Sequence, residues 1–145
     1  MFTQEYFMKE ALKEAEKAFA RDEVPIGAVV VCEDMVIARG HNLTETLNDV
    51  TAHAEMQAIT AASEYLGGKY LDQCILYVTL EPCPMCAVAL FWSQLGSLVY
   101  GATDTKRGFT LLKPHMLHPK TTVQSGILEK ETAQLMKDFF AKKRK

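Results

Sequence analysis

Excess charge is what this 145-residue sequence has least of: 16 Lys and Arg stand against 18 Asp and Glu, a net charge of -2. That balance excludes a protein that binds nucleic acid through bulk electrostatics. Pro and Gly are sparse, at 5 and 8 residues, and no repeat or low-complexity stretch is present, which excludes collagen-like and disordered classes. The opening residues Met1 to Tyr6 lack a basic run followed by an apolar one, so no secretory signal is read there and a cytoplasmic location is expected. In that setting the four cysteines are expected as reduced thiols. An uncharged run of 22 residues, 82 to 103, has the length of a membrane span. Pro82, Pro84, Ser93, Gln94, Gly96 and Ser97 interrupt it, so it reads as a buried helix followed by a strand, and no membrane association is expected.

Hydrophobic residues make up 48% of the chain, enough for one core, and a single domain over residues 1–145 is expected. Charge is uneven along it. Residues 1–141 hold 12 basic and 18 acidic side chains, a net of -6, while Lys142, Lys143, Arg144 and Lys145 form a basic C-terminal tail, 142–145. Apolar spacing predicts a helix over about 3–21. A hairpin of Gly27 to Cys32 and Met35 to Ala38 follows, with its turn at Glu33-Asp34. Thr51 is the expected N-cap of an Ala-rich helix running to about Leu66 and stopped by Gly67-Gly68. Beyond it come a strand from Ile75 to Thr79, a helix opened by Pro84, and a strand from Leu98 to Gly101. A long loop from Thr103 to Pro119, a strand over 122–128 and a closing helix from about Glu129 complete the chain. Helices alternating with strands after an opening hairpin predict an α/β fold, a mixed five-stranded sheet covered by helices on both faces.

The chemistry is concentrated in His53-Ala54-Glu55 and Pro82-Cys83-Pro84-Met85-Cys86, thirty residues apart and each at the start of a helix. One imidazole and two thiolates suit a tetrahedral Zn²⁺ with an open fourth position, the arrangement of catalytic rather than structural zinc. The positive end of the helix dipole favours the thiolates the metal needs. Glu55, two residues beyond the histidine, lies on another azimuth of its helix and is placed beside a bound water as proton carrier. The order H-x-E…P-C-x-x-C is the recognised signature of zinc-dependent nucleobase deaminases.

The chain also resembles the bacterial tRNA adenosine deaminases. Five blocks carry the likeness, in order: Glu23 to Val30, Gly40-His41-Asn42, Thr51 to Glu55, Thr79 to Cys86, and Gly101 to Gly108. The resemblance implies a cytidine deaminase-like, three-layer α/β/α fold, a homodimer, and conversion of the wobble adenosine of a tRNA anticodon loop to inosine. It also implies His53, Cys83 and Cys86 as ligands of one zinc per chain and Glu55 as proton shuttle. Asn42 would hold the target nucleoside, and Asp104, Lys106 and Phe140 with the adjoining basic residues would grip the anticodon loop. The sequence departs from the family pattern at Thr103, where many relatives have Arg, and at Val88, where Gly is usual. The second is expected to fill space behind the metal helix.

Taken singly, these residues have plainer readings. His53 alone would be an ordinary core or surface histidine, Asn42 a turn residue, and Asp104 with Lys106 a solvated loop. Phe139-Phe140 would be core, Trp92 packing, and His41, His115 and His118 surface or loop residues. A redox dithiol at Cys83 and Cys86 leaves His53 and Glu55 without a task. A closed structural zinc needs a fourth ligand from Cys32 or Cys74, but both sit in or beside apolar strand runs and are read as core. Two competing functions stand beside tRNA editing: a deaminase of a free base or nucleoside (guanine, cytosine or cytidine), and a zinc-stabilised binding module that makes no use of Glu55.

Overall fold

Residues Gly27–Cys32 form strand β1, whose side chains alternate between two hydrophobic cores. Ala28 and Val30 enter the larger core, Val29 and Val31 the smaller. That two-residue period fixes a layer of helices on each face of the sheet. The structure is a computed structural model and describes residues 1–112 and 115–144. Lys145 of the expected tail and positions 113 and 114 of the expected 103–119 loop lie outside the described residues.

The elements are α1 (Gln4–Ala20), β1, β2 (Met35–His41), α2 (Ala54–Leu66), β3 (Cys74–Leu80), α3 (Pro84–Trp92), β4 (Ser97–Ala102), a 3₁₀ turn (Phe109–Leu111), β5 (Thr122–Ser125) and α4 (Glu129–Lys143). The sheet order is β2-β1-β3-β4-β5. β1 pairs antiparallel with β2 and β3, whereas β3, β4 and β5 run parallel. Ala54, Ala58 and Ala62 of α2 and Ala87 and Leu90 of α3 pack with Leu76, Val78 and Leu98 in the larger core. Phe7, Met8 and Ala11 of α1 meet Tyr77 and Val99 on the opposite face. There α4 joins α1 through Phe139, whose ring stands 5.8 Å from that of Phe19. This is the expected three-layer α/β/α arrangement around a mixed five-stranded sheet.

Small residues decide how closely the helices approach. A Cβ on Gly40 of β2 would lie 2.6 Å from the carbonyl oxygen of Ala54 and 2.8 Å from the amide of Ala58. Only glycine lets the first turn of α2 press this closely on the edge strand, and that turn carries Glu55.

Several boundaries differ from the sequence reading. β2 continues to His41 rather than ending at Ala38, because Arg39 and His41 reach the buried carboxylates of α1. Arg39 Nη2 donates to Glu10 Oε1 at 2.6 Å, and His41 Nδ1 lies 3.2 Å from Glu14 Oε1. The N-cap of α2 is His53, not Thr51. Thr51 instead donates its amide and hydroxyl to Asp49 Oδ1, both at 2.8 Å, and shapes the turn before the helix. β5 stops at Ser125 because Gly126 (φ 89°) and Leu128 (φ 55°) turn the chain into α4. The basic residues Lys142 and Lys143, read as part of a tail, form the last turn of α4.

Candidate active site and metal centre

Two helices open at the same point with residues that do not cap them. His53, the N-cap of α2, and Cys83, the N-cap of α3, both hold extended backbone angles, and neither side chain makes a capping bond. Ser, Thr, Asp or Asn would ordinarily sit there and satisfy the free amides. These two side chains turn towards each other instead. Pro84 begins α3 at the position where a missing N–H is harmless, and Cys86 follows in the first turn. His53 Nδ1 stands 3.6 Å from Cys83 Sγ and 3.5 Å from Cys86 Sγ. All three ligand atoms lie within 4.8 Å of one another.

Those distances test the donor set. Zn–S bonds of about 2.3 Å and Zn–N bonds of about 2.0–2.1 Å at a tetrahedral angle set sulfur and nitrogen about 3.6 Å apart. The observed separations agree with that figure. Glu55 stands outside the group of three, buried to 4% exposure two residues beyond His53.

The electrostatics fit the same assignment. Hydrogen bonding with Cys86 draws the Cys83 thiol down to about 4 against the opposing effect of burial, and His53 adds to the shift. Cys86 is raised, first by the neighbouring Cys83 and then by burial. His53 is raised through its hydrogen bond to Cys83. Burial pushes Glu55 up to about 7, so its carboxyl can take or give a proton near neutrality. The N-termini of α2 and α3 add partial positive charge where the sulfurs gather. A dication is the group that would hold both sulfurs as thiolates.

The remaining predicted residues lie on two loops and α4. Asn42 follows β2 and is buried. Its amide donates to the Ile26 carbonyl at 3.1 Å, while its Oδ1 accepts from the Thr44 amide at 3.3 Å. The next residue, Leu43, donates to the Ala52 carbonyl at 2.9 Å, tying this turn to the segment before His53. Asp104 and exposed Lys106 occupy the loop after β4. Asp104 Oδ1 accepts from the amides of Lys106 and Arg107, both at 3.0 Å, so one carboxylate oxygen shapes the loop. Phe140 is 40% exposed on α4, its ring 5.3 Å from Phe139. Lys143 pairs with Asp22, next to Glu23, and Lys142 Nζ lies 5.4 Å above the Phe19 ring. The end of α4 is therefore tied to the end of α1.

Two buried carboxylates that the sequence reading left without a role hold these loops. Glu23 accepts from the amides of Glu45 and Thr46, at 3.1 and 2.6 Å, and from the Thr46 hydroxyl at 2.6 Å. Glu81 does the same for the loop after β4. An acidic residue one or two positions before a proline, beside an apolar strand, was the available signal in Glu23-Val24-Pro25 and Glu81-Pro82.

Two expectations need correction. Val88 does not fill space behind the metal helix but is 42% exposed on its outer face. Trp92 does not pack inside; it is 71% exposed, in edge contact with Phe91 at 5.3 Å. Of Phe139 and Phe140, whose plain reading is core, Phe139 is buried and Phe140 is not. Cys74 is buried, Cys32 packs against the same core, and both remain apart from the ligand group, as expected.

Known proteins resemble this chain in sequence and fold. A family model described as MafB19-like deaminase matches residues 2–144. A tRNA-specific adenosine deaminase of Agrobacterium fabrum is 47% identical over 144 residues, covering 96% of this chain and 95% of the relative. A solved structure from biochemical and structural studies of A-to-I editing by tRNA:A34 deaminases is 48% identical with a TM-score of 0.84, covering 90% of this chain and 98% of its own. The structure of a guanine deaminase from Bacillus subtilis is 33% identical with a TM-score of 0.71, covering 99% of this chain and 96% of its own. A match this nearly complete, on a chain with a His/Cys/Cys group and a buried glutamate beside it, means that the chain belongs to the deaminase family that includes the bacterial tRNA-specific adenosine deaminases.

Proposed function

We propose that residues 1–145 act as one zinc-dependent deaminase domain that converts adenosine to inosine at the wobble position of a tRNA anticodon loop. The observation that carries the chemistry is the pair of separations from His53 Nδ1, 3.6 Å to Cys83 Sγ and 3.5 Å to Cys86 Sγ, with buried Glu55 beside them. The observation that carries the substrate is the closer likeness to tRNA:A34 deaminases, 48% identical, than to the guanine deaminase structure, 33% identical.

His53, Cys83 and Cys86 hold one Zn²⁺ per chain, which when bound supplies Lewis acidity and lowers the pKa of water to about 7. Glu55 takes a proton from the attacking water, delivers one to N1 of the adenine as C6 is attacked, and protonates the departing amine. One water is consumed, ammonia leaves and hypoxanthine remains on the ribose. Asn42 orients the nucleoside, while Asp104, Lys106, Phe140 and the basic residues of α4 hold the loop around it. A base in an anticodon loop is already unpaired, so turning it into the site costs less than in a duplex.

For the homodimer that the resemblance implies, the outer face of α3 offers a surface. Met85, Val88 and Trp92, at helical spacing, leave an apolar stripe exposed there, and a second copy of the chain would cover it. No helix among the described residues is long and apolar enough to cross a membrane. We place the enzyme in the cytoplasm with its tRNA substrate.

The guanine deaminase likeness supports a second reading, turnover of a free base. The zinc-stabilised binding module loses ground, since it gives no task to a carboxyl buried beside three ligands. Ammonia release from an anticodon stem-loop, free adenosine, cytidine and guanine, each incubated separately with the protein, distinguishes the readings. Release from the stem-loop alone is expected; release from guanine alone selects the second reading.

A further inference from the structure

Glu81 follows β3 directly and stands two residues before Cys83, yet its side chain points to the next loop. It is 3% exposed, and the groups around its carboxylate are hydrogen-bond donors of one segment. Oε1 accepts from the Asp104 amide at 3.0 Å, and Oε2 accepts from the Thr110 amide at 3.0 Å and the Thr110 hydroxyl at 2.7 Å. The backbone reinforces the junction: Glu81 N donates to the Ala102 carbonyl at 2.8 Å and Phe109 N to the Pro82 carbonyl at 3.0 Å. The loop closes over the carboxylate at Gly108, where an added Cβ would lie 2.3 Å from the Glu81 carboxyl carbon.

Burying a carboxyl is costly unless every lone pair finds a donor, so a packed apolar side chain would be the simpler choice for mere stability. What Glu81 adds is specific geometry. Its Oε1 fixes Asp104, and the Oδ1 of Asp104 in turn fixes the amides of Lys106 and Arg107 at 3.0 Å. A continuous path of hydrogen bonds thus runs from the residue before Pro82-Cys83 to the backbone of Lys106 and Arg107 beyond β4.

We propose that Glu81 is a positioning residue that sets the 103–112 loop in register with the metal-ligating cysteines, so that Asp104 and Lys106 meet the RNA at a fixed distance from the reacting base. The inference rests on the reading of this chain as a tRNA deaminase. Glu81 touches neither the substrate nor the metal in this account; it acts through Asp104 and Thr110. Gly108 is part of the same device, because any side chain there displaces the carboxylate.

The test uses the zinc-loaded full chain, Glu81→Gln and Gly108→Ala, the second serving if the first fails to fold. Three readouts are taken: zinc content, hydrogen exchange at the Asp104 and Thr110 amides, and KM and kcat for an anticodon stem-loop. Each variant is expected to keep one zinc per chain and to exchange those two amides at least about tenfold faster, as the loss of bonds to a carboxylate implies. KM should rise by about tenfold while kcat stays within about threefold, the mark of lost binding rather than lost chemistry. Unchanged exchange overturns the staple, and faster exchange with unchanged KM overturns its role in positioning. Loss of zinc would make Glu81 a support for the cysteines alone. A wild-type chain that forms no inosine overturns the tRNA reading and, with it, the RNA role of the loop. The exchange measurement still decides the staple by itself.

Discussion

His53 and Cys83 occupy the same place in successive helices, the N-cap, and each forgoes capping so that its side chain meets the other at 3.6 Å. Two helix starts are thereby held together by one donor set. A metal bound by this set should also stabilise the fold, because it would join α2 to α3. Cys83→Ala and Cys86→Ala are expected to lose zinc and to melt at lower temperature than the parent chain, while Cys32→Ala and Cys74→Ala keep a full complement. Elemental analysis with thermal melts checks this, and full zinc in both ligand variants would remove the proposed set.

Glu55 lies beside this group and not in it, so its removal separates proton transfer from metal binding. Glu55→Ala should retain zinc and the fold yet turn over about two to four orders of magnitude more slowly, the usual contribution of a positioned acid–base group. Single-turnover rates on an anticodon stem-loop measure it. Activity preserved within a few-fold would assign the proton to another group.

Glu23 gives a pH dependence with a definite sign. Burial acts to raise its carboxyl, but the bonds from the Thr46 hydroxyl and the amides of Glu45 and Thr46 outweigh it, and the group is held below its ordinary value of 4.5. Glu14 is likewise lowered, burial being outweighed by Lys17 and His41. The native chain therefore binds these protons more weakly than the unfolded chain. The stability they contribute is fully present above about pH 4.5 and is lost as pH falls through the lower native values. Urea midpoints measured from pH 7 downward should drop below about 4.5 in the parent chain and drop less steeply in Glu23→Gln. Equal slopes would show that the Glu23 bonds do not favour its charged form.

How much of this was legible in the sequence depended on where each residue found its partners. The clustering of His53, Cys83 and Cys86, with Glu55 buried beside them, was readable because the chemistry expected of them constrains residue type and short spacing at once. The layers were readable from the alternation of β1 and the alanine-rich α2. Glu23 and Glu81 were not, because their partners are backbone amides 22 to 29 positions away, which no side-chain pattern encodes. Arg39 and His41 resembled loop residues until Glu10 and Glu14 of α1 appeared beneath them. Val88 and Trp92 were misjudged because α3 is apolar on every side and carries no polar stripe to mark its outer face.

The end of α4 makes a salt-dependence prediction. Lys142 and Lys143 lean on Phe19 and Asp22 at the end of α1, beside the carboxylate that holds the loop after Asn42. A chain ending at Ala141 should bind an anticodon stem-loop more weakly. For every phosphate that the shorter chain leaves unneutralised, the log–log salt slope should flatten by about 0.7. Chemistry on bound RNA should be little changed. Identical slopes for the two chains would remove these residues from RNA recognition.

The central claim is that the adenine converted is the wobble base of an anticodon loop. Its most direct test is single-turnover incubation of the zinc-loaded protein with an anticodon stem-loop, with inosine mapped by position and free guanine assayed in parallel. The expected result is inosine at the wobble position, none at the other loop adenosines, and little or no ammonia from guanine. Ammonia from guanine with no inosine in the RNA would contradict it.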